Sequence, residues 1–298
     1  MFFTVNKKVL LVGGTGYLGR HLRDKLLRDG IHVTVTGFNK SNEPNHYRID
    51  FEDPETFSSI GAEQFDTIFI LVSKLQSLGT CQLDHPDLET NVLGLGRFLE
   101  YLKRNSISDR LVYISSMTVY SPNNESPVEE NTKLAPSSTY GLSKTLAEGI
   151  FEFYCQNEVA KGVVMRFPGI YGGDRRSGFI YNTIQKVSAG QEVILNTKGL
   201  GYWETIHISD LVEMIAIFLA RYEWDETINT FNFSYGEETD FRTTASHIAK
   251  KMNRSDLITI DGERGYVKLY ISNTKVRRYT KPSMDYWTRL NEYIDSLI

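Results

Sequence analysis

Residues 8–19 read KVLLVGGTGYLG, and their interpretation decides the fold. Lys8–Val12 is an unbroken apolar run, the pattern of a strand buried on both faces of a parallel sheet. Gly13, Gly16 and Gly19 follow at three-residue spacing and open an amphipathic segment that runs to about Asp29. Such spacing allows a tight turn, close approach of backbone to a pyrophosphate, and close packing of helix on strand. The N–H groups and dipole at the start of the helix favour an anion there. Thr15, Tyr17 and Leu18 share this loop and are expected beside the same phosphates. Strand, glycine loop and helix together predict a dinucleotide-binding βα unit.

Working outward, strand and helix patterns alternate about six times. His32–Thr36 is a second strand, and Gly37-Phe38-Asn39-Lys40 follows it. An NAD-selective fold places Asp or Glu here on the ribose 2′-OH. This chain has none, and Asn39 and Lys40 suit a 2′-phosphate, so NADP is the expected cofactor, with NAD possible. A third strand, His46–Asp50, leads to Asp50 and Phe51. Asp50 is placed either to meet an adenine amino group or to cap a helix over Pro54–Ser59. Asp66–Val72 is a fourth strand; Leu71, Val72, Ser73 and Lys74 lie at its carboxyl end, where open α/β sheets bind ligands. A helix is expected over about Asp84–Arg104, with Leu88, Val92, Leu95, Leu99 and Leu102 as core or dimer packing.

Leu111–Ser115 is the fifth strand, and Ser116, Met117 and Thr118 stand just past it. Residues 122–136 read as a polar surface excursion, Tyr140–Asn157 as a helix and Gly162–Arg166 as a strand. The prediction is an α/β chain. A Rossmann-type doubly wound parallel sheet spans residues 1–166, and a smaller substrate-binding lobe covers 167–298. Within that lobe, helices are expected at Phe179–Ala189, Ser209–Arg221, Asp240–Met252 and Asp285–Ile298. About 203–234 should return to the main sheet.

A net charge of -4 and a pI near 5.9 give no basic surplus for nucleic acid and no polybasic membrane patch. The apolar start runs straight into the glycine loop and is too short to span a bilayer, so a soluble cytoplasmic protein is expected. Cys81 and Cys155 are far apart in sequence and predict neither a disulfide nor a metal site.

The chemistry is expected at PSSTYGLSK, residues 136–144. Tyr140 and Lys144 are four apart, on one face if the segment is helical. A fixed positive charge beside a phenol favours phenolate, which brings an ordinary value of about 10 toward working pH. A Tyr-x-x-x-Lys pair arises by chance in a chain with 17 Tyr, so the case lies in its surroundings.

Seven stretches supply that case: GGTGYLG, DFED, the asparagine in ETNVLGLGRFLEY, YISSMTVYS, YGLSK, RFPGIYGG and ETIHISDLVEMI. In this order they resemble the extended short-chain dehydrogenase/reductases, which include the NAD-dependent epimerases and dehydratases of nucleotide sugars. The resemblance covers nearly the whole chain. It implies Tyr140 as general acid/base, Lys144 lowering its pKa and binding the nicotinamide ribose, and Ser116 bonding the reacting oxygen with help from Thr118. It also implies Phe167, Pro168 and Ile170 at the nicotinamide, and a homodimer built on a four-helix interface of the Tyr140 and Asp84–Arg104 helices.

Departures narrow the activity. Sugar 4,6-dehydratases carry an Asp-Glu pair after the Ser/Thr, where this chain has Met117 and Thr118. Many nucleotide-sugar members place Asn after the sixth strand, where this chain has Pro168-Gly169. Lys74, Arg175, Arg176 and Lys198 are candidates for substrate phosphates, and Trp203 and Tyr202 for stacking on a sugar or base. His207 and Asp210 match a strand–helix junction and are expected to be structural. The expected function is an NAD(P)H-dependent ketoreductase of a sugar, foremost a nucleotide-linked 4-keto-6-deoxy sugar. The alternatives are an NAD-dependent nucleotide-sugar 4-epimerase, a reductase of another ketone or aldehyde, and a non-catalytic cofactor-sensing protein.

Overall fold

A computed structural model of the chain describes residues 7–39, 45–61, 63–75, 86–157, 160–196, 204–261 and 269–298. Lys40, Cys81, Lys198, Tyr202 and Trp203 lie outside these. The chain forms two compact units. The first comprises residues 1–121, 133–166 and 215–231; the second comprises 122–132, 167–214 and 232–298.

The first unit is built on a seven-stranded sheet. In chain order its strands are β1 (Lys8–Val12), β2 (His32–Gly37), β3 (His46–Arg48), β4 (Thr67–Ile70), β5 (Arg110–Ser116), β6 (Lys161–Phe167) and β10 (Ile228–Asn232). Their spatial order is β10-β6-β5-β4-β1-β2-β3. β1 pairs in parallel with β2 and β4, β2 with β3, and β4 with β5. Strand order therefore reverses beside β1, and this switch opens a crevice at the carboxyl ends of β1 and β4. The returning segment, 215–231, is shorter than the expected 203–234.

Helices α1 (Tyr17–Arg28), α2 (Pro86–Leu88), α3 (Leu95–Asn105) and α4 (Thr139–Gln156) belong to this unit. A core of Leu10, Val12, Ile68, Ile70, Leu99, Leu111 and Phe151 is sealed by Phe51, Phe57 and Phe98. Phe51 stacks on Phe98 at 5.2 Å and meets Phe57 edge-on at 6.1 Å. The helix expected over about Asp84–Arg104 runs unbroken through its described part, residues 86–105, with a π-helical stretch, Glu89–Gly94, between α2 and α3.

The second unit holds two parallel strand pairs: β7 (Gly169–Tyr171) with β9 (Thr205–His207), and β8 (Val193–Asn196) with β11 (Ile258–Asp261). Helices α5 (Phe179–Ser188), α7 (Phe241–Lys251) and α8 (Tyr286–Asp295) pack here, and α6 (Ile208–Arg221) begins here. Residues 122–132 lie mostly at the surface, as their polarity predicts, but the segment is pinned at Val128. Val128 is 1% exposed; its N–H donates to Tyr270 O, its carbonyl accepts from Ser272 N, and Glu130 accepts from Asn232 N at 2.8 Å. One apolar side chain and a ladder of backbone bonds anchor the segment.

Among the described residues, no helix is long and apolar enough to cross a membrane, and no group of three His, Cys, Asp or Glu side chains is arranged to hold a metal ion.

Candidate active site

The glycine loop is shaped by close approaches that a side chain would block. Gly13 has φ +84°, and a Cβ there would stand 2.9 Å from Val72 N; at Gly19 it would stand 2.5 Å from Gly14 Cα. The N–H of Gly13 donates to Thr36 Oγ1 at 3.1 Å, which ties the loop to β2. Gly16 begins α1 with no side-chain cap, and the first turn carries no acidic residue, so a bound anion would meet N–H dipoles without carboxylate repulsion. Thr15 and Gly16 are exposed, and Tyr17 and Leu18 are half-buried. This cradle fits a dinucleotide pyrophosphate. At the end of β2, a Cβ on Gly37 would come within 2.7 Å of the Thr15 side chain and 3.1 Å of His46 Nε2. No carboxylate can stand at that position. Phe38 and Asn39 follow, both exposed.

Asp50 does not cap the 3₁₀ helix Pro54–Ile60, whose N-cap is Asp53. Its Oδ1 accepts from Glu52 N at 3.0 Å, and Oδ2 lies 3.5 Å from Arg48. Arg48, in register with Gly37 on the neighbouring strand, is a charged group at this end of the sheet that the sequence reading passed over. Phe51 does not offer its side chain to a ligand: it is 3% exposed in the aromatic core, because Gly94 lets α3 press against it.

After β4, the N–H of Leu71 donates to Val12 O at 2.8 Å, and Val72 lies against Gly13. Lys74 is held by an ion pair with Glu52, which also accepts from Thr90 at 2.6 Å; those two bonds hold the Glu52 carboxyl below its ordinary value. Asn91, 2% exposed in the π-helical stretch, accepts from Lys74 N at 2.8 Å and donates to Lys74 O at 2.9 Å and Ser143 Oγ at 3.0 Å. It fastens the loop after β4 to α4. A π-bulge adds a residue to a turn and often marks a functional site, but in sequence it looks like ordinary helix.

Ser116 ends β5 and caps the 3₁₀ turn Met117–Val119. Its Oγ accepts from Thr118 N at 3.2 Å and from Thr118 Oγ1 at 3.0 Å. Met117 and Thr118 are buried. Ser138 caps α4 by accepting from Gly141 N at 3.1 Å, and Gly141 is required because its Cβ would stand 2.4 Å from Thr118 O. That contact brings the first turn of α4, with Tyr140, against the end of β5.

The phenol of Tyr140 hydrogen-bonds Ser73. Among the described residues, neither Ser116 nor Lys144 bonds to it. Burial pushes Tyr140 above its ordinary value, the Ser73 bond opposes this, and the Asp87 charge adds to it. The direction is opposite to the lowering expected from Lys144, because burial is the largest influence on the phenol and the Lys144 amine is turned to Tyr113 and Ile114. Lys144 is 2% exposed and donates to Ile114 O at 2.8 Å and Tyr113 OH at 3.2 Å. Burial pulls its ammonium down to about 7, with Glu148 opposing.

One turn beyond Lys144, Glu148 forms a two-point pair with Arg166 of β6, at 2.7 Å to Nη2 and 3.0 Å to Nε. Ser115 also donates to Glu148, and Arg166 Nη1 donates to Tyr120 OH at 2.7 Å.

In the second unit, Phe167 and Pro168 are buried and Ile170 is half-buried; Phe167 meets Phe233 edge-on at 5.6 Å. Arg175 folds over its own turn, donating to Ile170 O at 3.0 Å, and Arg176 donates to Gly173 O at 3.2 Å. Asp210, fully buried, accepts from Tyr235, Ser283 and Arg289 at 2.6–2.9 Å. It joins α6, α8 and the segment after β10. His207 accepts from Ser209 N at 3.3 Å and fits only because residue 172 is glycine: a Cβ there would stand 2.1 Å from Nε2. Glu204, which drew no comment in sequence, is buried; its Oε2 accepts from Ile271 N at 2.8 Å, and burial pushes its carboxyl up to about 8.

A bound nicotinamide would supply or accept a hydride. The chain's own groups offer a protonated phenol at Tyr140, hydroxyls at Ser73 and Ser116, and an amine at Lys144.

A putative UDP-glucose 4-epimerase of Methanocaldococcus jannaschii is 26% identical over 243 residues, 78% of this chain and 78% of that one. A dTDP-4-dehydro-6-deoxyglucose reductase of Escherichia coli is 23% identical over 269 residues, 84% of this chain and 83% of that one. The UDP-glucose 4-epimerase of Thermotoga maritima, solved with UDP-glucose, superposes with a TM-score of 0.82 over 97% of this chain and 98% of that one, at 20% identity. The model of the NAD dependent epimerase/dehydratase family matches residues 9–233. With that match over its Rossmann sheet, the chain belongs to the NAD dependent epimerase/dehydratase family, among the extended short-chain dehydrogenase/reductases.

Proposed function

We propose that this protein is an NADP(H)-preferring ketoreductase that reduces a nucleotide-linked 4-keto-6-deoxy sugar. The observation that carries the reading is the placement of Tyr140, which Gly141 brings against the end of β5 beside the turn that Ser116 caps. A neutral phenol is ready to give its proton to the oxygen that hydride delivery to a ketone leaves negative. Oxidation of an alcohol, the first step of a 4-epimerase, asks the same group to start as a base. Ser116 would bond the reacting oxygen with Thr118 behind it, and Lys144 would hold the nicotinamide ribose. The buried Met117 and Thr118, where a dehydratase has its acid pair, argue against loss of the 6-hydroxyl.

The preference for NADP(H) is supported by Gly37, where no acid fits; in this proposal Asn39 and Lys40 would meet the 2′-phosphate and Asp50 the adenine. Roles for Phe167, Pro168 and Ile170 at the nicotinamide, and for Lys74, Arg175 and Trp203 at the substrate, complete the proposal. The Escherichia coli reductase supports the substrate class. A second reading, 4-epimerase, is favoured by the name of the Methanocaldococcus jannaschii relative and uses the same groups.

A homodimer in the cytoplasm belongs to the same reading. Leu93, Leu146 and Phe153 are 53%, 44% and 61% exposed, and Gly149 meets nothing within 4 Å. These positions lie on α4 and the π-helical stretch, and they suit a second copy packing helix on helix.

The test adds NADPH, then NADH, to the protein with a panel of nucleotide-linked 4-keto-6-deoxy sugars and follows nicotinamide absorbance. Stoichiometric loss with NADPH is expected. Interconversion of sugar epimers by protein that co-purifies with NAD, without net loss, would replace this reading with the second.

A further inference from the structure

Tyr140, Lys144 and Glu148 follow at four-residue spacing and share one face of α4. The Glu148–Arg166 pair behind Lys144 is 7% and 5% exposed. Such a pair is weak evidence for stability, because packed apolar side chains of similar volume do as well or better. Ser115 and Tyr120 complete its bonding, and the Arg166 Cζ lies 5.0 Å from the Tyr120 ring centroid. None of these four residues has been given a part in binding or proton transfer above.

Their neighbour supplies one. A charged Lys144 has three N–H donors and a neutral one has two. Ile114 O and Tyr113 OH accept two, so only the ammonium keeps one for a ligand. The groups around Lys144 are Glu148 on its own helix, Tyr113 on β5 and, behind Glu148, Arg166 on β6; Tyr140 acts on Tyr113, and Asp87 on α2 acts on Tyr140. Glu148 is the one whose charge favours the ammonium.

We propose that the Glu148–Arg166 pair, fixed by Ser115 and Tyr120, is a positioning unit that keeps Lys144 cationic and so preserves the third N–H with which Lys144 holds a ligand hydroxyl. The proposal rests on the placement of Lys144 in the site above. Arg166 holds the Glu148 carboxylate in place through two hydrogen bonds, and it is farther from the ammonium in the chain of contacts. The net field at Lys144 is therefore that of the nearer carboxylate.

The test is the titration of Lys144 by NMR in cofactor-free protein labelled with [ε-13C]lysine, the signal being assigned by its loss in Lys144→Met. The wild-type midpoint is expected near 7. Glu148→Gln leaves Arg166 to repel the ammonium, and the midpoint should fall by about one pH unit or more. The double variant Glu148→Gln/Arg166→Met removes both charges and should fall between the two. A wild-type midpoint near that of surface lysines overturns the proposal, and so does an unchanged midpoint in the variants. The first of these needs no variant to fold. Binding of NADH, read by its fluorescence, should lose its high-pH limb at correspondingly lower pH in Glu148→Gln. The titration uses neither sugar nor turnover, so failure of the ketoreductase reading leaves it intact, and its own failure leaves the turnover assay unaffected.

Discussion

Replacing Lys144 by Met should make the protein more stable near neutral pH while it abolishes function. The unfolded chain holds the lysine proton up to an ordinary 10.5, whereas the folded chain gives it up at about 7. Each unit of difference is about 1.4 kcal/mol, so at pH 7 the buried lysine costs the fold roughly 4 kcal/mol. The sign follows from proton counts. Between pH 7 and 10.5 the unfolded state binds more protons, so stability rises with pH in that window, by about 2 kcal/mol from pH 7 to pH 9. Met cannot donate to Ile114 O, and leaving that carbonyl unpaired costs about 1–3 kcal/mol at every pH. The diagnostic quantity is therefore the slope. Urea unfolding at pH 7, 8 and 9 should show the advantage of Lys144→Met over wild type shrinking by about 2 kcal/mol across the window. An equal difference at pH 7 and pH 9 would show that Lys144 is already an ordinary ammonium in the fold and would refute the reasoning.

Four further outcomes are expected. Tyr140→Phe should lower turnover at least 100-fold, on the order of a lost general acid, with cofactor affinity kept; substantial remaining activity in the sugar assay would remove Tyr140 from its role. Glu204→Gln should act opposite to Lys144→Met in pH. The buried carboxyl, raised to about 8, contributes stability that is lost as pH rises through that value, and the variant should lose less, by about 1 kcal/mol from pH 7 to pH 9 in urea unfolding. Gly37→Ala places a methyl 2.7 Å from the Thr15 side chain, and an overpacking penalty of about 1–3 kcal/mol should appear in urea midpoints or in weaker NADH binding; no change in either would contradict the tight fit at the end of β2. Lys40→Ala should weaken NADPH more than NADH, and an equal loss in a fluorescence titration would refute the 2′-phosphate contact.

The parts of the fold that local chemistry dictates were legible in the sequence. β1 has the bounds its apolar run predicts, and α4 begins one residue before Tyr140 because Ser138 caps it. The glycine spacing was readable because Gly16 and Gly19 answer close approaches within their own loop, whereas Gly13 answers Val72 after β4. Legibility fails where a distant partner decides. The π-helical stretch has helical composition, and only Asn91 reaching the Lys74 backbone and Ser143 gives it away. Val128 sits in a polar, proline-containing loop, and its burial depends on Tyr270 and Ser272, more than a hundred residues on. Phe51 follows a motif associated with the cofactor, yet Gly94 draws its ring into the core.

The Ser115-Ser116 doublet shows how far residue pattern reaches and where it stops. Neighbours on a strand point to opposite faces, so one hydroxyl of the two had to leave the site. Ser116 turns to Thr118 and Ser115 to Glu148, and that division follows from period-two geometry alone. Tyr140, Lys144 and Glu148 are equally readable as one face of a helix. The electrostatic outcome is not, because it depends on water that the surrounding strands exclude and on Arg166, which reaches Glu148 from β6, eighteen residues later in the chain. A phenol beside an ammonium suggests a lowered pKa when both are pictured in water. In the fold both are dehydrated, each moves toward its neutral form, and the nearby carboxylate is left to restore the charge on the lysine. Sequence spacing names the candidates for the site, and burial is what pushes each of them toward its neutral form.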